Sequence, residues 1–180
     1  MPFPVAKLTI FGVISAGLVA VSWTSLRNWR SHGFFRFFAW EAILALILLN
    51  VDYWFDHPFS SLQGISWLML VASLFLVIHG VWLLRVIRKP QGQIENTYVL
   101  VTVGAYKYIR HPLYASLLWL AWGVFFKNPS LLGVILAITA SLFLMVTAKV
   151  EEGENIRKFG AEYTAYMKRT RMFIPFLLCR

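Results

Sequence analysis

Residues 113–148 read LYASLLWLAWGVFFKNPSLLGVILAITASLFLMVTA. Two apolar runs flank Lys127-Asn128-Pro129-Ser130. Asn-Pro signals a turn, and Pro129 suits the first turn of a following helix, where its missing N–H would be unpaired in any case. The stretch therefore predicts a helical hairpin. Its first arm, Leu113–Phe126, is short; its second, Leu131–Ala148, approaches the roughly 20 residues that cross hydrocarbon.

Outward from the hairpin, three more apolar runs of spanning length occur, at Leu8–Leu26, Phe34–Val51 and Leu62–Leu84. Across the 180 residues 59% are apolar and only 14% charged, with a mean hydropathy of +0.66. A soluble domain of this length could not cover so much apolar surface. The expected fold is an all-α integral membrane bundle of about five transmembrane helices, with a C-terminal helical hairpin and an amphipathic tail. One membrane domain over 1–180 fits the length, with three helices in 1–84 and the chemistry in 85–180. Neither internal repeats nor low-complexity segments stand out.

Charge placement predicts topology. Arg27, Arg30 and Arg36 flank the first loop; Arg85, Arg88, Lys89, Lys107 and Arg110 flank the third; Arg157, Lys158, Lys168, Arg169, Arg171 and Arg180 follow the last span. The alternate side carries Lys7 and Lys127 with Asp52 and Asp56. Lys and Arg accumulate in cytoplasmic loops, so the N-terminus is expected outside and the C-terminal tail in the cytoplasm. The positive flank follows the first apolar run instead of preceding it, which argues against a cleaved signal peptide. The net charge of +9 is then mainly topogenic, with attraction to anionic lipid heads and no nucleic-acid partner expected. A single cysteine, Cys179, forms no intrachain disulfide and does not match the prenylation signal.

The polar residues of the C-terminal half form a second pattern. Residues 101–114 hold Tyr106, Tyr108, Arg110, His111, Pro112 and Tyr114. Pro112 suits the first position of a helix, which puts Arg110 and His111 at a helix N-terminus able to hold a carboxylate or phosphate. A topogenic Arg beside a capping His accounts for the same pair, and an interfacial aromatic belt accounts for the tyrosines. Glu151 and Glu152 directly follow the last apolar run, where two acids would oppose the dipole of a helix ending there. Their oxygens can accept hydrogen bonds from ribose hydroxyls or an ammonium group. Gly160 can close that helix, and the residues after it suit a short amphipathic segment on the membrane.

The series Gly104-x-Tyr106, Arg110-His111-Pro112-x-Tyr114, Asn128-Pro129, Glu151-Glu152, Phe159-Gly160-x-x-Tyr163-x-x-Tyr166 and Phe173-Ile174-Pro175 resembles the isoprenylcysteine carboxyl methyltransferase and phospholipid methyltransferase group of membrane enzymes. The resemblance covers about residues 85–180. It implies S-adenosylmethionine as methyl donor and a lipid-like or amphiphilic acceptor. It implies donor contacts from Tyr98, Val99, Leu100, Val101, Tyr106, His111, Pro112, Leu113 and Tyr114, with Glu151 at the donor's polar end. Gln91 falls where relatives carry a donor-contacting Gln, with Gln93 close by; Arg110 and Glu152 belong to the motif as catalytic candidates. No metal is implied.

Two positions depart from the family pattern. Ser116 stands where a Gly is usual. Thr147 stands where enzymes acting on prenylcysteine carry a substrate-binding Arg, with Lys149 nearby as a point charge lacking the bidentate geometry of Arg. An acceptor other than prenylcysteine is therefore expected.

Elsewhere, Glu41 inside the second span is either functional or a partner for Arg36 or His79, and His79 reads as an interior histidine. Asp52, Asp56 and His57 have ligand chemistry but fall in the loop opposite the candidate site, where a solvated turn explains them. Two other functions compete with methyl transfer. One is an NADPH-dependent reductase of the sterol type, which would carry Asn at position 113 and a Trp-containing segment after the last span. The other is a non-enzymatic membrane scaffold or transporter subunit.

Overall fold

The computed structural model describes residues 3–56, 58–87 and 100–175. Among the described residues six α-helices follow one another: α1 (Phe3–Leu26), α2 (His32–Asn50), α3 (Ser61–Ile87), α4 (Pro112–Phe125), α5 (Leu131–Phe159) and α6 (Ala161–Arg169). Helices α1, α2, α3 and α5 are long and apolar enough to cross a membrane, and α4 is a shorter apolar helix. The chain is thus a multi-pass helical membrane protein, as its composition predicts. Gln91, Gln93, Tyr98 and Val99, together with His57 and Cys179, lie outside the described residues.

The hairpin forms as expected, with two refinements. Ser130 caps α5, its hydroxyl accepting from the Gly133 N–H at 3.1 Å, so Pro129 precedes the cap instead of entering the first turn. More consequentially, α5 continues past Ala148 to Phe159. Glu151 and Glu152 lie inside this helix, and the expected conflict with a helix-end dipole does not arise. At about 1.5 Å per residue the first 20 residues of α5 cover the ~30 Å of hydrocarbon. The carboxylate pair falls just beyond that limit. Gly160 then closes the helix at φ +58, its N–H bonded to the Ile156 carbonyl at 2.8 Å.

α2 packs most extensively on α5, and α3 on α4. The core where α2, α4 and α5 meet includes Ala42, Ile43, Leu46, Ala121, Val124, Ala137 and Ala140. Alanines at these crossings let backbones approach closely, which lipid-embedded helices need because burial from lipid gains little. Buried side chains tie α2 and α3 to the carbonyls of α4. Asn50 donates to Val124 at 3.0 Å, Ser66 to Gly123 at 2.6 Å and Ser73 to Ser116 at 2.8 Å. Ser116, where a glycine was the pattern, thereby receives a hydrogen bond at its backbone and turns its own hydroxyl to the Leu113 carbonyl.

The loops alternate between two ends of the bundle. At one end Lys7 pairs with Asp52, and the Lys127 ammonium donates to Gln63 at 2.8 Å over the face of Trp67. Burial draws the Lys127 pKa below the usual lysine range. At the other end His32, opening α2, meets Glu154 of α5 at 2.6 Å. Glu41 has neither of its expected partners: it accepts from the Ser15 hydroxyl of α1 at 2.9 Å. The half-buried His79 ring stacks between Phe75 and Trp82.

Candidate functional site

The segment leading into α4 is held against the segment that follows α6. Gly104 opens a 3-10 turn over Gly104–Lys107 at φ +59. A Cβ there would lie 2.6 Å from Leu83 Cδ1 and 2.8 Å from His79 Nε2, so the turn needs glycine both for its dihedral and for space. The Tyr166 hydroxyl of α6 donates to the Tyr106 carbonyl at 2.6 Å. Beyond the turn the backbone pairs with residues 171 and 172. Arg171 N–H donates to Tyr108, Arg110 N–H to Arg171 and His111 N–H to Met172. Pro112 then takes the first position of α4, as its lack of an N–H favours.

This pairing alters the expected anion site. The amides of Arg110 and His111 are already bonded, and the Arg110 guanidinium turns toward protein. Its Nε donates to Glu152 at 2.5 Å, and its Nη1 to the carbonyls of Thr170 at 2.6 Å and Met167 at 3.3 Å. Both charged partners are buried, their side chains 2% and 9% exposed. His111 stacks on Tyr114 with ring centres 5.4 Å apart; its Nε2 lies 3.3 Å from Glu152 and its Nδ1 3.8 Å from Glu151.

Between these elements lies a cavity of about 450 Å³, inside the range of about 300–1,000 Å³ common for small-molecule sites. Of the sequence-predicted residues, Leu100, Val101, Tyr106, Arg110, His111, Leu113, Tyr114 and Glu151 line it. Pro112 is fully buried beside it, and Glu152 stands behind Arg110 and His111. The wall also includes residues that sequence reading gave other roles or none: His32 and Arg36 of α2, Leu84 of α3, Asn155, Lys158 and Phe159 of α5, and Tyr163 and Tyr166 of α6. Burial pushes the Tyr163 phenol up to about 12 and raises that of Tyr166 as well, so both stay neutral donors over the ordinary pH range. Thr147 and Lys149 do not reach the cavity. Thr147 is fully buried with its hydroxyl on the Phe143 carbonyl, and Lys149 is exposed.

A membrane helix bundle with a ligand-sized cavity of mixed polarity at the start of its short apolar helix α4 is the class of protein defined by this architecture. The family model described as phospholipid methyltransferase matches residues 62–162, and the chain belongs to that family. It is 34% identical over 76% of its length to a protein-S-isoprenylcysteine O-methyltransferase of Rattus norvegicus, covering 52% of that protein. It is 23% identical over 98% of its length to a methanethiol S-methyltransferase of Pseudomonas deceptionensis, covering 62% of it. The chain thus spans half to two thirds of the length of these curated relatives. No solved structure matches it.

Proposed function

We propose that this chain is an S-adenosylmethionine-dependent methyltransferase, acting on a lipid-like or amphiphilic acceptor at the cytoplasmic face of a membrane. The observation that carries the reading is the convergence of Leu100, Val101, Tyr106, His111, Leu113, Tyr114 and Glu151, remote in sequence, on one cavity of ligand size. Their chemistry suits the donor. Glu151, 30% exposed at its side chain, can accept from an ammonium group or ribose hydroxyls. Tyr106, Tyr114 and His111 offer aromatic faces to an adenine or a cationic sulfur. Relatives named for methyl transfer to oxygen and to sulfur agree with a site that leaves the accepting atom to the acceptor's own chemistry.

When bound, S-adenosylmethionine supplies a sulfonium methyl that is already electrophilic. The protein's own task is then to align acceptor and donor and to exclude water. Arg110 and Glu152 serve as positioning residues: their ion pair ties the segment carrying His111 to α5, and the Arg110 Nη1 holds the end of α6 through the Met167 and Thr170 carbonyls. The apolar walls from Leu84, Leu100, Val101 and Leu113 keep bulk water from the reacting atoms. The basic end of the bundle, where the cavity lies, is the cytoplasmic end on the positive-inside rule.

Binding to the purified protein in nanodiscs tests this. S-adenosylmethionine and S-adenosylhomocysteine should bind, and Glu151→Ala and His111→Ala should each weaken them at least about ten-fold, the scale of a lost charge-assisted contact. NADPH should not bind. NADPH binding in place of the adenosyl compounds would replace the methyltransferase with a reductase, and binding of none would remove the enzymatic reading.

A further inference from the structure

Five basic side chains line the cavity, and their partners differ. Arg110 is committed to Glu152 and two carbonyls. His32 is paired with Glu154, and His111 lies between Glu151 and Glu152. Lys158 is exposed and lies over the Phe159 ring. Arg36 is different: no carboxylate of the described residues lies within ion-pairing distance of it. Its Nε is buried without a hydrogen-bond partner.

Arg36 is nonetheless held in place. The guanidinium lies 4.8 Å from the centre of the Trp40 ring, a cation–π contact that fixes the plane of the fork. The Tyr114 hydroxyl lies within reach of both Arg36 and Glu151. A cation retained one turn into a membrane helix, beside an apolar wall, is costly without an anion, and a planar guanidinium presents paired donors that match a carboxylate.

We propose that Arg36 is the carboxylate-binding residue of the cavity, receiving a ligand's carboxylate beside the Tyr114 hydroxyl. This deepens the methyltransferase reading and rests on it for what the cavity holds. A carboxylate can come from two sources, the amino-acid end of the methyl donor or an amphiphilic acceptor. In both cases Arg36 supplies the same fork from α2, a helix outside the C-terminal motif.

The test uses two matched ligand pairs in zwitterionic nanodiscs. The first is S-adenosylhomocysteine and its decarboxylated form; the second is dodecanoate and dodecanamide. Wild type should prefer the carboxylate member of at least one pair by about ten-fold or more, as charge-assisted bidentate contacts do. Arg36→Gln should abolish that preference while leaving the Kd of the carboxylate-free members unchanged. Arg36→Lys, which keeps charge without the fork, should retain part of it and guards against a poorly folded Gln variant. A preference in the first pair assigns Arg36 to the donor, and one in the second to the acceptor. No preference in either pair, or one that survives Arg36→Gln, overturns the proposal. If wild type binds neither adenosyl compound, the methyl-donor reading fails, while the dodecanoate pair still decides the role of Arg36.

Discussion

Replacing Glu152 with Ala leaves the Arg110 guanidinium buried without its anion. Breaking a buried ion pair from one side costs about 3–5 kcal/mol, mostly the penalty of the charge left behind. Arg110 keeps the carbonyls of Thr170 and Met167, which places the expected loss near the lower limit, about 3 kcal/mol, or roughly a hundred-fold in the folded-to-unfolded ratio. Reversible unfolding in mixed micelles titrated with SDS, followed by far-UV circular dichroism, reads this loss. The decisive comparison is with Arg110→Met and with the double variant Arg110→Met/Glu152→Leu, which removes both charges together. If the pair acts as a unit, the double variant should be about 2 kcal/mol or more less destabilised than the two single losses added. Donor binding should also weaken in Glu152→Ala, because His111 loses the nearer of its two carboxylates. Additivity of the single changes to within about 0.5 kcal/mol would falsify the positioning role assigned to the pair.

Gly104→Ala forces a side chain into a positive-φ turn, at a cost of about 1–2 kcal/mol, and against Leu83 and His79. It should lower the melting temperature and raise the Kd for S-adenosylhomocysteine, whereas an unchanged melt and Kd would show that the turn tolerates a Cβ. Tyr163 and Tyr166 predict an alkaline limit. Burial, the largest cause, keeps both phenols protonated in the fold, Tyr163 up to about 12. The unfolded chain releases these protons near pH 10, so it binds fewer protons than the native state above that value. Stability is therefore full below about pH 10 and falls as pH rises toward 12. Ultraviolet phenolate absorbance should show at least two of the seven tyrosines titrating late and together with loss of helix; seven ordinary titrations would contradict their burial.

The helices were legible because hydrocarbon demands long apolar runs, and the observed bounds of α1 to α4 depart from those runs by only a few residues. The hairpin turn and the Gly160 stop were legible because Asn-Pro and a positive-φ glycine act locally. The end of α5 was not. Residues 149–158 are mostly polar, and apolarity marks only the part of a helix that meets lipid or core; a helix emerging from the membrane keeps its hydrogen bonds without it. The pairing of Arg171 with Ile109 left no signal either, since backbone bonds between distant segments depend on no side-chain pattern. Within the site, the C-terminal motif led to most of the cavity wall. Arg36 and His32 were hidden because positive residues near a loop already have a sufficient explanation in topology, and only three-dimensional placement separates a topogenic arginine from one that faces a ligand.

The extension of α5 explains how two adjacent acids take on different work. Consecutive residues of an α-helix point about 100° apart, so Glu151 and Glu152 meet His111 from different directions and differ in their other surroundings. Glu152 turns toward Arg110 and is buried with it. Glu151 turns into the cavity, partly exposed. Had the helix ended at Ala148, both carboxylates would sit on a fraying terminus with no fixed angle between them. A rigid α5 instead fixes that angle, assigning one acid to hold the α4 and α6 segments and leaving the other for a ligand. Arg36, reaching in from α2, faces the same space with the opposite charge. Arg36 and Glu151 stand on two helices whose mutual packing is the most extensive in the bundle, so the distance between those charges is determined by the core and not by a loop.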